Sequence, residues 1–79
     1  MKVQVLFFGA TADAVGKREI EIDLADAPKA ENAFRKIVAE YPQLEKHSLL
    51  FAVNQNYADG DETINDGDEL AIFTYVSGG

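Results

Sequence analysis

The chain has 79 residues, 47% of them apolar, with 14 acidic against 7 basic residues for a net charge of -7. That length fits one small domain, marginal in the core it can bury, and the lack of cysteine excludes disulfides and thiolate zinc sites as staples. The charge argues against a nucleic-acid binder, which needs a basic surface facing phosphate; it suits a basic protein partner met by electrostatic steering, or solubility alone.

Lys2 opens an alternating pattern instead of the apolar core of a signal peptide. No apolar run approaches the ~20 residues of a membrane span. A soluble, cytoplasmic protein that does not engage a membrane is the expectation. From Met1 to Phe8, Val3, Val5 and Phe7 share one face and Lys2, Gln4, Leu6 and Phe8 the other, the pattern of a strand whose outer face turns apolar toward its end. Gly9 to Gly16, small residues between two glycines, read as a loop. Lys17 to Leu24 alternate again, with Arg18, Ile20, Ile22 and Leu24 opposite Lys17, Glu19, Glu21 and Asp23, which predicts the second strand of a hairpin.

Asp26-Ala27-Pro28 stop that strand and open a helix, since proline is tolerated at a first helical position. Ala30, Ala33, Phe34, Ile37, Val38 and Tyr41 follow at three-and-four spacing and form one apolar stripe. Pro42 ends the helix by forcing the residue before it out of helical geometry, and Gln43 to Ser48 read as a polar connection. Leu49 to Asn54 predict a third strand with Phe51 and Val53 inside. Gln55-Asn56 then read as a turn and Tyr57 to Asp59 as a brief fourth strand. The turn signal Asn65-Asp66-Gly67-Asp68 leads into a last strand, Glu69 to Tyr75, where Leu70 and Ile72 alternate with Ala71 and Phe73. The predicted core is Val3, Val5, Phe7, Ile20, Ile22, Leu24, Ala33, Phe34, Ile37, Tyr41, Phe51, Val53, Leu70 and Ile72. One helix must lay its stripe on one face of the sheet, an α+β domain over residues 1–75.

Few residues point to chemistry within that domain. His47, the only histidine, stands in a polar connection with no cysteine beside it, so no nucleophile–base pair forms. Neither GxGxxG nor a Walker pattern occurs. The acidic stretch from Asp59 to Glu69 fails as a calcium loop, because Ile64 or Asp66 stands where the sixth-position glycine belongs. Turn chemistry on a solvated rim is its reading, and no metal site is expected.

Two features remain. The chain ends Val76-Ser77-Gly78-Gly79, and glycines that order at high entropic cost do not serve a fold. A thin, flexible tail over 76–79 with a reactive carboxylate is one reading, and a frayed end the other. Leu6, Phe8, Ala71 and Phe73, with Tyr57 nearby, fall opposite the helix. If the two terminal strands are neighbours, these residues make one apolar patch beside the tail, a docking surface as opposed to scattered surface hydrophobes.

The succession strand, strand, helix, strand, strand with a terminal Gly-Gly resembles the ubiquitin-like β-grasp sulfur carriers of the MoaD/ThiS family. Within them it is most similar to the small subunits of molybdopterin synthase. The matching stretches are Val5 to Gly9, Gly16-Lys17-Arg18-Glu19, Glu40-Tyr41-Pro42, Ala52-Val53-Asn54, Asp66 to Ala71 and Val76 to Gly79, in the family's order along the whole chain. It departs where Thr74-Tyr75 replace a usual Pro-Pro, where Ala12 aligns with a usual Arg, and where Gly60 replaces a larger residue. The resemblance implies a mixed sheet of four to five strands on one main helix. It also implies a carrier with no catalytic side chains of its own and no tightly bound cofactor. A MoeB-like enzyme would use ATP to adenylate Gly79, a persulfide donor would convert the adenylate to a thiocarboxylate, and a MoaE-like large subunit would take the sulfur in a hetero-oligomer. Gly78 would let the tail thread a narrow channel, with Val76 and Ser77 contacting the partner beside Leu6, Phe8, Tyr57, Ala71 and Phe73. A protein modifier joined through Gly79, and a ThiS-type carrier for thiazole synthesis, are the alternatives.

Overall fold

Alternation does build the first strand. β1 (Lys2–Phe7) buries Val3, Val5 and Phe7 and turns Lys2 and Gln4 to solvent. The computed structural model describes residues 1–25 and 29–74; the expected strand stop and helix opening at Asp26-Ala27-Pro28 and the C-terminal tail lie outside them. The remaining elements are α1 (Ala10–Val15), β2 (Glu19–Asp23), α2 (Ala30–Glu40), a 3-10 helix (Pro42–Lys46), β3 (Leu49–Val53), β4 (Asn56–Tyr57) and β5 (Glu69–Thr74). They form one five-stranded sheet in the order β2-β1-β5-β3-β4. β1 and β5 run parallel, and every other pairing is antiparallel. The two terminal strands are therefore neighbours at the centre of a mixed sheet.

α2 lays Ala30, Ala33 and Ile37 against Val3, Val5, Phe7, Ile22, Leu70 and Ile72 in a single core. Its outer face carries Glu31 and Arg35, paired at 2.6 Å one turn apart. Among the described residues no side chain caps its start. Instead the loop after β4 supplies carbonyls: Ala30 N–H donates to Glu62 O at 2.7 Å and Glu31 N–H to Gly60 O at 3.0 Å. These satisfy donors that an α-helix leaves unpaired at its first turn. Gly60 sits at φ 109° with its missing Cβ only 3.2 Å from Glu31 Cβ. A Cβ there would crowd Glu31 in a backbone conformation that L residues rarely adopt, which favours glycine at this position.

Three expectations need correction. Gly9 to Gly16 are not a loop: residues 10–15 close one and a half turns of helix between the two glycines, ended by Gly16 in the left-handed conformation with its N–H on Ala12 O at 2.8 Å. Gln43 to Ser48 are not a plain polar connection: the 3-10 helix drives Leu44 into the core at 0% exposure, and Gln43 Nε2 donates to Ala14 O at 3.1 Å, tying this helix to α1. The hairpin turn falls one residue earlier than predicted, on Asn54-Gln55, both at positive φ (49° and 71°), with the strand at Asn56–Tyr57. That backbone matches the right-handed twist of the flanking strands.

The core also shifts at its rim. Ile20, Phe34, Tyr41 and Phe51 are half-buried and pack against the core from outside, whereas Leu44 and Ile64 are fully buried. Phe34 stacks on Phe51 at 4.8 Å, and Tyr41 meets the Phe7 edge at 6.0 Å. The acidic stretch does hold turns. Glu62 accepts the amides of Asp59 and Gly60 at 3.0 Å each. Asp66 accepts Lys2 N–H at 2.7 Å, and Asp68 accepts Asn65 N–H at 2.7 Å and Asn54 Nδ2 at 3.0 Å.

Candidate functional site

The sheet face away from α2 holds the expected patch. Register alone aligns one row across the sheet: Glu19 opposite Leu6, Leu6 opposite Ala71, Ala71 opposite Ala52, and Ala52 opposite Tyr57. A second row sets Leu50 opposite Phe73, and the Phe73 ring meets Tyr57 edge to face at 5.7 Å. Phe8 continues β1 beyond its last ladder residue. It is 52% exposed and Tyr57 is 79% exposed; Leu6, Ala71 and Phe73 are half-buried between them. All five docking residues expected on the domain thus share one face. Val76, Ser77, Gly78 and Gly79 lie outside the described residues.

Leu50 and Ala52 also belong to this face, and the sequence signal for them was the same alternation that put Phe51 and Val53 inside. Small Ala71 and Ala52 stand at the centre of the row, between Leu6 on one side and Tyr57 on the other. Around the end of β1 lies a groove lined by Leu6, Phe8, Gly9, Ala12, Asp13 and Arg18.

The expected first loop matters here because it is a helix. α1 carries Thr11, a buried polar side chain at 0% exposure. Its hydroxyl accepts Phe8 N–H at 3.0 Å and sits 2.7 Å from Phe8 O and 2.9 Å from Ile72 O, either of which takes its single proton. Phe8 N–H also reaches Ile72 O at 3.1 Å. This clip fixes the exposed Phe8 to the strand that leads into the C-terminus. β5 ends at Thr74, five residues before Gly79.

The face holds no general acid, base or nucleophile at hydrogen-bond reach of another, and no cluster of metal-ligating side chains occurs among the described residues. Nor is any described helix long and apolar enough to cross a membrane.

Comparison with known proteins decides the family. The ThiS family matches residues 5–79. A molybdopterin synthase sulfur carrier subunit of Chlamydomonas reinhardtii is 34% identical over 83 residues, covering all of both chains. The chain belongs to the ThiS family, among the molybdopterin synthase sulfur carrier subunits. Its function is sulfur carriage in molybdenum cofactor biosynthesis, and it is the non-catalytic small subunit. In solved structures the carrier's ubiquitin-like β-grasp recurs in small archaeal modifier protein 1 of Haloferax volcanii, 26% identical over the whole of both chains at a TM-score of 0.88. It recurs again in a complex of subunits 1 and 2 of the molybdopterin-converting factor from Helicobacter pylori, 26% identical over the whole of both chains at a TM-score of 0.72.

Proposed function

We propose that the carrier holds sulfur as a thiocarboxylate on Gly79 and presents it by docking its outer sheet face on a MoaE-like large subunit. The observation that carries this reading is the apolar row Leu6-Ala71-Ala52-Tyr57, with Phe73 and Phe8, placed on and beside the strand that leads to the C-terminus. A resting carboxylate is a poor acyl donor. A MoeB-like enzyme transfers AMP from ATP to the Gly79 carboxylate and releases pyrophosphate. A persulfide sulfur then attacks the acyl carbon and AMP leaves. Reduction of the acyl disulfide by a second thiol of the donor frees the thiocarboxylate. The carrier itself binds no cofactor tightly in this scheme; ATP is the activating enzyme's substrate. Val76, Ser77 and Gly78 supply the length and slimness that bring the terminal carbon into the partner's site, since glycine adds no side chain to clash in a narrow channel. The related Helicobacter pylori complex of subunits 1 and 2 supports a hetero-oligomer, and a cytoplasmic cycle is part of this reading.

The test is intact-mass spectrometry after incubation with the activating enzyme, ATP and a sulfur source. The expected product is heavier by the difference between sulfur and oxygen. An unchanged mass with an enzyme proven competent on another carrier refutes the reading.

A second reading rests on the likeness to small archaeal modifier protein 1: the same activated Gly79 acylates lysines of other proteins. Immunoblots of cell extract against this chain separate the two, because conjugation produces a ladder of heavier bands and carriage alone does not.

A further inference from the structure

We propose that the outer edge of β2 is a second docking site, which takes an extended partner segment alternating basic and apolar residues as a sixth strand. β2 ends the sheet order. Its ladder with β1 is bracketed by Phe7 N–H on Arg18 O and Leu24 N–H on Met1 O, both at 2.8 Å, with Ile20 opposite Val5 and Ile22 opposite Val3. Bonded and non-bonded pairs alternate along an antiparallel ladder. Positions 18, 20, 22 and 24 therefore turn their backbone groups to β1, and Glu19, Glu21 and Asp23 turn theirs outward. An independent contact agrees: Lys36 Nζ, on α2, donates to Asp23 O at 2.9 Å from that outer side. No hydrogen bond among the described residues reaches the outward amides of Glu19 and Glu21 or their carbonyls.

Side chains select the occupant. Glu19, Glu21 and Asp23 are exposed on one face of this edge; among the described residues their carboxylates pair only with Lys2 Nζ, 3.7 Å from Glu21, and with the N-terminal amine, 3.3 Å from Asp23. Two copies paired edge to edge would oppose these carboxylates, and like charges directly opposite destabilise a sheet. With a net charge of -7 on each copy, a self-dimer is disfavoured throughout. A strand with Lys or Arg at alternate positions instead places a cation over each carboxylate. Its intervening residues then point to the other face, where an open groove between β2 and α2 is lined by Ile20, Lys36, Glu40 and Tyr41. Backbone pairing gives affinity and the alternation gives specificity, as in strand addition generally. β1 separates this edge from β5, so Phe73 and Tyr57 stay open to the large subunit while β2 is occupied. The inference stands whatever chemistry Gly79 performs.

The test titrates the ¹⁵N-labelled full chain with an acetylated, amidated peptide of sequence Lys-Val-Lys-Ile-Lys-Val-Lys and follows amide shifts and hydrogen exchange. The expected result is protection of the Glu19 and Glu21 amides, weakened by salt and absent with a peptide carrying Glu for Lys or with alternate backbone nitrogens methylated. Glu21→Pro removes one outward donor without touching the β1 ladder and should abolish that protection. Should that variant not fold, the double charge reversal Glu19→Lys with Glu21→Lys decides; two pairs turned from attraction to repulsion weaken binding about tenfold. Perturbations centred on Phe8, Ala71 and Phe73, equal binding of the acidic peptide, or unprotected Glu19 and Glu21 amides at saturation would each overturn the proposal.

Discussion

Replacing Phe73 with Asp separates docking from folding. In the free carrier the ring is half-buried, and its main partner is Tyr57, edge to face at 5.7 Å. An aromatic pair contributes about 0.5–1.5 kcal/mol beyond area, and partial loss of an apolar ring's burial adds about 1 kcal/mol. The free protein should thus lose about 1.5–2.5 kcal/mol, a fall in melting temperature of about 6–20 °C for a domain this small. It remains folded at 25 °C, because Leu70 and Ile72, the inward residues of the same strand, are untouched at 0% exposure. In the proposed complex the same position would be covered, and a carboxylate without a partner there would cost far more. A loss of about 3 kcal/mol, typical of a strong interface residue, is more than a hundredfold in affinity. Circular dichroism melts of the free variant and calorimetric titration with the large subunit read the two effects separately. An unfolded variant would put Phe73 in the core, and affinity within threefold of wild type would show that partners do not use this face.

Gly60→Ala should destabilise by about 1–3 kcal/mol, from positive φ and the 3.2 Å approach to Glu31 Cβ, read as a lower urea midpoint. Ile64→Ala, at a fully buried site in a loop of turns, should cost about 2–5 kcal/mol, whereas a surface-loop reading of that residue predicts almost nothing. Deleting Gly79 should leave the melting temperature unchanged yet abolish sulfur transfer. The reacting carbon recedes by up to ~3.5 Å, and a misplacement of about 1 Å already costs roughly a hundredfold. A shortened chain that restored dithiolene formation at near wild-type rate would remove the terminal carboxylate from the mechanism.

Alternation is a strong signal, and it served wherever both faces of a strand mattered. The inward and outward sets of β1 and β5 follow from period two alone, and with them Leu6, Ala71 and Phe73. Their union into one patch needed the parallel pairing of β1 with β5, which no local pattern encodes; the sequence left it as a condition, and the sheet order meets it. α1 escaped notice because its six residues are too few to display a helical period, and two flanking glycines suggest a loop. Leu44 was hidden for a similar reason: a lone apolar residue among polar ones carries no period, and only the 3-10 turn after Pro42 reveals that it points inward. Ile64 is the same case between turn residues. Thr11, finally, looked like any loop threonine. Its role depends on two carbonyls, one of them Ile72 O, 61 residues away in the chain.

The departures from the family pattern carry a physical consequence at the root of the tail. A Pro-Pro pair before the final four residues fixes two φ angles by ring closure. Here Thr74 holds the first of those positions, and it is still a strand residue, opposite Leu49 in the β3–β5 ladder. The sheet itself therefore directs the chain as far as position 74, through a strand flanked by β1 on one side and β3 on the other. Thr11 adds a third tie where Phe8 and Ile72 meet. Stiffness from pairing differs from stiffness in a proline ring, because it depends on the neighbouring strands. In the proposed docking mode, a protein that grips Phe8, Ala71 and Phe73 at once acts on the strand that leads to the C-terminus. That mode couples docking to delivery through β5, and a substitution that loosens β5 should then reduce transfer even where affinity survives.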